Sequence, residues 1–260
     1  MQNTESRNEY AVVIPAYKGA FDDDEYCCVK AFFEVLKGKK FFVVPEGLDF
    51  SWYRENFPEG GYKTFPDKYF TGTKGYNKLL LNEEFYDSFS GFEYILIAQP
   101  DAAVWSKEDR IPEFIEKGFD YIGAPWIPER RIWEWTFPKK AGGRIKCLKK
   151  AGQGITMGNG GFCLRNVGKC KALIHEFRWR KVYWFFKRSE DIFFGVFGPD
   201  NRTGFRPADV ETGKSFSLEY GLRDSVVKGR VPYATHGWSK EFESYGEMKA
   251  FLEGNGIEIV

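Results

Sequence analysis

Two short apolar runs flank one helical pattern near the start of this chain, and that alternation limits what it can fold into. "YAVVIPAYK" (10–18) reads as a buried strand ending at Pro15, and "KFFVVP" (40–45) reads as a second strand. Between them, in "DDDEYCCVKAFFEVLKGKK" (22–40), Tyr26, Val29, Phe32 or Phe33, and Leu36 recur at helical spacing. Asp22 or Asp23 suits the start of that helix, and Gly38 suits its end. Strand, helix, strand is the mark of a parallel unit with a right-handed crossover. The alternation continues with a helix over 75–89, a strand over 93–99, a helix over 110–118 and a strand over 120–126. Short continuous apolar strands of this kind predict a mostly parallel sheet covered by helices on both faces. The second half is less regular, with a glycine cluster (158–161), helices near 166–177 and 189–197, and a strand near 230–235.

At 260 residues, with no linker-like stretch, the expectation is one α/β domain over 1–260, with 1–9 as a flexible tail. A net charge of +1 and the lack of any known nucleic-acid motif argue against a nucleic-acid partner. The five cysteines are odd in number and none pair as Cys-x-x-Cys, so they read as reduced thiols. The polar N-terminus has no apolar signal core, and no apolar run nears the ~20 residues of a membrane span. The expected location is therefore the cytoplasm.

Aromatic residues make up 18% of the chain, more than a core needs, which points to stacking surfaces. Trp126, Trp133, Trp135 and Trp238 are either core or platforms for the C–H faces of sugars. Asp101 follows an apolar strand, at the end where open α/β sheets collect ligands. On composition alone it reads as a turn-capping carboxylate. His236, one of two histidines, follows the late strand; His175 lies in a helical stretch and takes no catalytic role. Glu190 and Asp191 after Ser189 suit a helix start, and an acid there can equally serve as a base. "GNGG" (158–161) reads as a turn or as a place where backbone approaches a ligand; it is not a phosphate-binding P-loop. The basic stretch 139–154 reads as solvated surface or as a lid over a diphosphate. The segment 175–188 interleaves bases with aromatics and suits a peripheral membrane contact.

Taken jointly, "QPDA" (99–102), "GFDYIGAPW" (118–126), "GNGGFCLR" (158–165), Glu190-Asp191 and His236 to Trp238 resemble the nucleotide-sugar glycosyltransferases of GT-A fold. More narrowly, they resemble an uncharacterised bacterial glycosyltransferase-like domain family, over about residues 10–240. "VVIPAYK", "PEGLD" (45–49), "KYF" (68–70) and "GYNKLLL" (75–81) also fit. The resemblance implies a GT-A-like, Rossmann-like domain and an inverting transferase. Its sugar would come from a nucleoside diphosphate, UDP above all, and go to a hydroxyl of a bacterial surface glycan, free or lipid-linked, at the inner face of the membrane. It implies donor contacts at Pro15, Ala16, Tyr17, Glu46, Asn77, Lys78, Asp101, Asn159, Gly160 and Gly161, and acceptor contacts at Trp126, Glu190 and Trp238. Asp191 would be the base, and Asp101 with His236 would hold Mn²⁺ or Mg²⁺. The sequence departs from the family's Asp-x-Asp pattern in having Ala103 where the second acid is expected. That departure keeps two rivals open: a metal-independent transferase in which Lys or Arg stabilises the diphosphate, and a non-catalytic carbohydrate-binding module on the same fold.

Overall fold

A computed structural model describes residues 10–126, 158–178, 189–199 and 203–259. The expected tail 1–9, Trp133 and Trp135, the whole basic stretch 139–154, and 179–188 of the aromatic-basic segment lie outside the described residues.

The first unit forms as the periodicity predicts. Strand β1 (Tyr10–Pro15) is buried throughout, helix α1 (Asp23–Val35) follows, and β2 (Lys39–Pro45) returns parallel to β1. Asp22 accepts a hydrogen bond from the Glu25 amide at 2.9 Å, and Glu25 accepts one from the Asp22 amide at 3.2 Å. This reciprocal cap satisfies two orphan donors and fixes where α1 starts. Helix α2 (Ser51–Asn56) and β3 (Gly61–Phe65), which no periodicity marked, extend the sheet beyond β2.

The helix expected over 75–89 is two helices, α3 (Thr73–Leu80) and α4 (Glu83–Asp87). Asn82 accepts from the Glu84 amide and restarts the chain as a new N-cap. Strand β4 (Tyr94–Ala98) then pairs parallel with β1, followed by β5 (Ala102–Val104), α5 (Ile111–Glu116) and β6 (Tyr121–Ala124). The glycine cluster read as a turn begins a strand, β7 (Asn159–Asn166), which runs antiparallel between β4 and β6. The order of this six-stranded sheet is β3-β2-β1-β4-β7-β6, mostly parallel as expected.

Glycine in β7 and β6 serves close packing. A Cβ at Gly123 would stand 2.6 Å from the Asn159 carbonyl oxygen, and one at Gly158 would stand 2.2 Å from that of Ala124. The two strands meet here at a register shift between Gly123 and Ala124, with no room for side chains.

Alternation along the strands divides the core in two. Val12 and Ile14 of β1 face α1, α2 and α5, through Phe32, Tyr53 and Phe114. Ala11 and Val13 face α3, α4 and two later helices, α6 (Val167–Glu176) and α7 (Glu190–Phe197), through Leu79, Phe85, Leu173 and Phe193. Each such aromatic or leucine contributes about 1.5–3 kcal/mol by leaving water. The remaining elements are α8 (Val210–Phe216), β8 (Ser217–Leu218), α9 (Leu222–Val227), β9 (Ala234–His236) and α10 (Tyr245–Gly254). Strand β9 lies between β5 and β8 in a second, three-stranded sheet. No helix among the described residues is long and apolar enough to cross a membrane.

Gly123→Ala should lower stability by about 1–3 kcal/mol, because the obstructing atom is backbone and cannot rotate away. Thermal unfolding checks this against Gly91→Ala, whose new methyl meets nothing within 4 Å.

Candidate active site

Strand order reverses between β1 and β4: the chain leaves β1 toward β2 on one side, while β4 lies on the other. A crevice opens at such a switch point, at the carboxyl ends of the strands. Here it is a cavity of about 340 Å³. Pro15 and Tyr17 line it at and just after the end of β1, Gln99 and Asp101 after β4, Glu25 from the first turn of α1, Phe70 from the segment before α3, and Thr73 and Tyr76 from α3.

The expected donor residues divide. Pro15, Tyr17 and Asp101 line the cavity. Ala16 is buried and spends its amide on the Val43 carbonyl at 2.9 Å; its side chain is not part of the lining. Glu46 is exposed at the end of β2 and outside the lining. Asn77 and Lys78 sit on α3 as expected, but the residues that helix presents to the cavity are Thr73 and Tyr76. Tyr76 was legible only as a helix position; burial and the Glu190 carboxylate hold its hydroxyl above the usual range.

The second sheet brings Asp101 to His236. Ala102 of β5 stands opposite His236 of β9, and the Gly237 amide donates to the Asp101 carbonyl at 3.1 Å. His236 Nε2 lies 3.3 Å from Asp101 Oδ1 and 3.1 Å from Gln99 Oε1. Burial would raise the Asp101 pKa, but the hydrogen bond from His236 and its charge outweigh it, leaving the carboxyl below its usual range.

Ala103 is not the vacant place of an acid. It is fully buried in a third apolar cluster with Cys28, Trp105 and Leu222. Residues 99–102 form a turn, closed by the Ala102 amide donating to the Gln99 carbonyl at 2.8 Å, so strand alternation does not carry from Asp101 to position 103. The residue that joins Asp101 at the imidazole is Gln99, at the start of the same turn.

Gly160 and Gly161 of "GNGG" admit the protein's own side chains. A Cβ at Gly161 would lie 2.1 Å from His236 Nε2, and one at Gly160 would lie 2.3 Å from Glu190 Oε1. Asn159 spends its Oδ1 on the Gly161 amide at 2.7 Å. Glu190, expected at the acceptor, is instead bound to Arg165, whose Nη2 donates to Glu190 Oε1 at 2.7 Å. Arg165 is fully buried, donates to Tyr86 Oη at 3.1 Å, and lies 5.0 Å from the ring centres of both Tyr121 and Phe194. A buried carboxylate neutralised this way is a structural partner, not a free ligand. Trp126 and Trp238, also expected at the acceptor, are each only 5% exposed. Trp238 packs with Tyr245 at 6.3 Å, and neither indole offers an open face. Asp191 stands beside Glu190 in the first turn of α7, and burial together with that neighbouring carboxylate pushes its pKa up to about 7.

The donor atoms around His236 suit a divalent cation held weakly. An octahedral shell with bonds near 2.1 Å has donor–donor edges of about 3.0 Å, close to the 3.1 and 3.3 Å found here. One carboxylate, one amide oxygen and one imidazole suit Mn²⁺. No group of three His, Cys, Asp or Glu gathers among the described residues, because the third donor is an amide. His236 Nδ1 is buried with no hydrogen-bond partner among the described residues, so the outer support usual for a metal-bound imidazole is missing.

A family model described as "Protein of unknown function (DUF5672)" matches residues 60–236. No curated protein matches the chain. Among solved structures, the chain is similar to galactosyltransferase LgtC in complex with donor and acceptor sugar analogs, with a TM-score of 0.56, 15% identity and 96% of each chain covered. It is also similar to core-mannan synthase A from Aspergillus fumigatus in its Mn/GDP form, with a TM-score of 0.50, 11% identity, and 76% and 72% coverage. The mannosyltransferase Ktr4p of S. cerevisiae follows at a TM-score of 0.50, 8% identity, and 75% and 67% coverage. These likenesses establish the GT-A fold.

Two stability measurements follow from the buried charges. Glu190→Leu strands the Arg165 guanidinium and should cost about 3–5 kcal/mol, whereas an acceptor-binding role predicts an ordinary melting temperature. Asp191 has a folded pKa of about 7 against 3.8 when unfolded, so its contribution to stability is full below 3.8 and lost as pH rises through about 7. Asp191→Asn keeps the neutral form at every pH. Its melting temperature should match the unmutated chain below about pH 3.8 and exceed it by a growing margin up to about pH 7.

Proposed function

The chain belongs to the DUF5672 family, and from its site we propose that it is a glycosyltransferase moving a sugar from a nucleoside diphosphate to an acceptor hydroxyl. The observation that carries this reading is that Gln99 and Asp101, on the wall of the switch-point cavity, both meet the imidazole of His236 behind them.

The cavity's chemistry suits the donor. Tyr17, 56% exposed, and Phe70 offer ring faces for a base. Thr73 and Asp101 supply polar groups for ribose or sugar hydroxyls. The lining contains two carboxylates, Glu25 and Asp101, and no lysine, arginine or histidine among the described residues. Glu25 pairs with Lys18 at 2.7 Å, so Asp101 is the carboxylate that a diphosphate would meet, and a cation held there would offset their repulsion. Gln99, Asp101 and His236 would hold the cation, which when bound offsets the charge that develops on the leaving diphosphate.

Asp191 is the base in this reading. The acceptor oxygen forms its bond to the anomeric carbon as the bond from that carbon to the phosphate oxygen breaks. The electron pair leaves with the nucleoside diphosphate, the hydroxyl proton passes to Asp191, and the configuration inverts. A carboxyl poised near neutral pH matches that task better than one at its ordinary value. The resemblance to a bacterial domain family supports UDP as the nucleotide and a surface glycan, free or lipid-linked, as the acceptor.

Titration calorimetry with UDP, GDP and CDP, with Mn²⁺ and with chelator, tests the donor; no binding of any at millimolar ligand sinks the proposal. Release of nucleotide from nucleotide sugars separates an enzyme from a binding module. Asp191→Asn should lower turnover by about 10²–10⁴ while UDP affinity stays within about twofold. In the unmutated enzyme the rate should rise with pH through about 7, since the base works only when deprotonated.

A further inference from the structure

We propose that Gln99 makes this a donor-conditional metal site: its neutral amide keeps the cavity from holding a divalent cation until a nucleoside diphosphate arrives. The proposal rests on the donor reading above and assigns the residue that sets its order of binding.

Of the two carboxylates in the lining, Glu25 has a lysine of its own, and Asp101 has none among the described residues. Glu25 lies 2.7 Å from Lys18 Nζ, and the nearby Lys240 Nζ lies 2.6 Å from Glu219 Oε1. Among the described residues, Asp101 forms its ion pair with the imidazole of His236, and Lys240 acts on it from farther away. A divalent cation held by Gln99, Asp101 and His236 would therefore leave the site with an excess positive charge, and the diphosphate oxygens remove it. A carboxylate at position 99 would remove it beforehand, and cation affinity follows the count of charged ligands.

Gln99 is placed rigidly enough to matter. Its amide donates to the Gly161 carbonyl at 2.8 Å, and its own carbonyl accepts from the Ala102 amide at 2.8 Å. Its Oε1 lies 3.1 Å from His236 Nε2. An aspartate at 99 is one methylene shorter and starts from the same backbone position.

Electron paramagnetic resonance of free Mn²⁺, titrated with the full chain with and without UDP, reads both states. The unmutated chain should take up little Mn²⁺ alone and much more with UDP. Gln99→Asp should tighten Mn²⁺ binding without UDP by about tenfold or more, and shrink the enhancement that UDP gives. Gln99→Leu should weaken Mn²⁺ uptake in the presence of UDP by about tenfold, with UDP affinity in chelator unchanged. Gln99→Glu replaces the aspartate variant if circular dichroism shows that the latter does not fold. If the acidic variants bind Mn²⁺ alone no better than the unmutated chain, the role of Gln99 is overturned, whatever UDP does. If UDP changes Mn²⁺ binding in no variant while the acidic ones still bind Mn²⁺ tightly, the donor reading fails and the assignment of Gln99 as a ligand stands.

Discussion

The imidazole of His236 can lie against strand β7 only because position 161 carries no side chain. A single methyl there would stand 2.1 Å from Nε2, well inside any van der Waals contact. The rest of the site follows from that close approach. With His236 pressed to β7, its Nε2 falls between Gln99 and Asp101 at the end of β4, the strand that β7 pairs with. The Gln99 amide ties to the Gly161 carbonyl, so the same glycine positions both partners. Strand β9 holds the histidine from the other side through its pairing with β5.

The opposite face of β7 repeats the device with a different charge pair. Gly160 admits the Glu190 carboxylate, which neutralises a guanidinium sealed among Tyr86, Tyr121 and Phe194. In so little water the pair cannot ionise separately, and the next carboxylate along, Asp191, bears the consequence. It begins α7 where a helix dipole favours negative charge, yet burial and its neighbour hold a proton on it up to near neutral pH. One glycine-rich strand thus separates an imidazole with a half-exposed carboxylate from a buried ion pair with a protonatable acid.

Several residue types promised more than their surroundings allow. Tryptophans beside polar motifs suggested stacking, but Trp238 closes the cluster between α1, α9 and α10, and Trp126 completes the core under the sheet. Glu190 looked like half of an acid pair facing substrate because Arg165, twenty-five positions earlier, was invisible as its partner. Ala103 looked like a missing acid because it follows Asp101 by two residues. The turn at 99–102 instead sets Gln99 beside His236 and leaves Ala103 in an apolar cluster.

The sequence by itself determined the alternation of apolar runs with helical spacing, and with it a mostly parallel sheet covered on both faces. Those features are local: a period of two or 3.6 and a cap such as Asp22 are written in neighbouring residues. It also marked Asp101 and His236, through motifs that resemble a known fold. What only the tertiary structure decided are the relations between distant residues. The antiparallel insertion of β7 between β4 and β6, the seating of His236 over Gly161, the Arg165–Glu190 pair and the choice of Gln99 depend on which backbones come close enough to exclude a side chain. That closeness is fixed by packing of the whole core, and no short stretch of sequence records it.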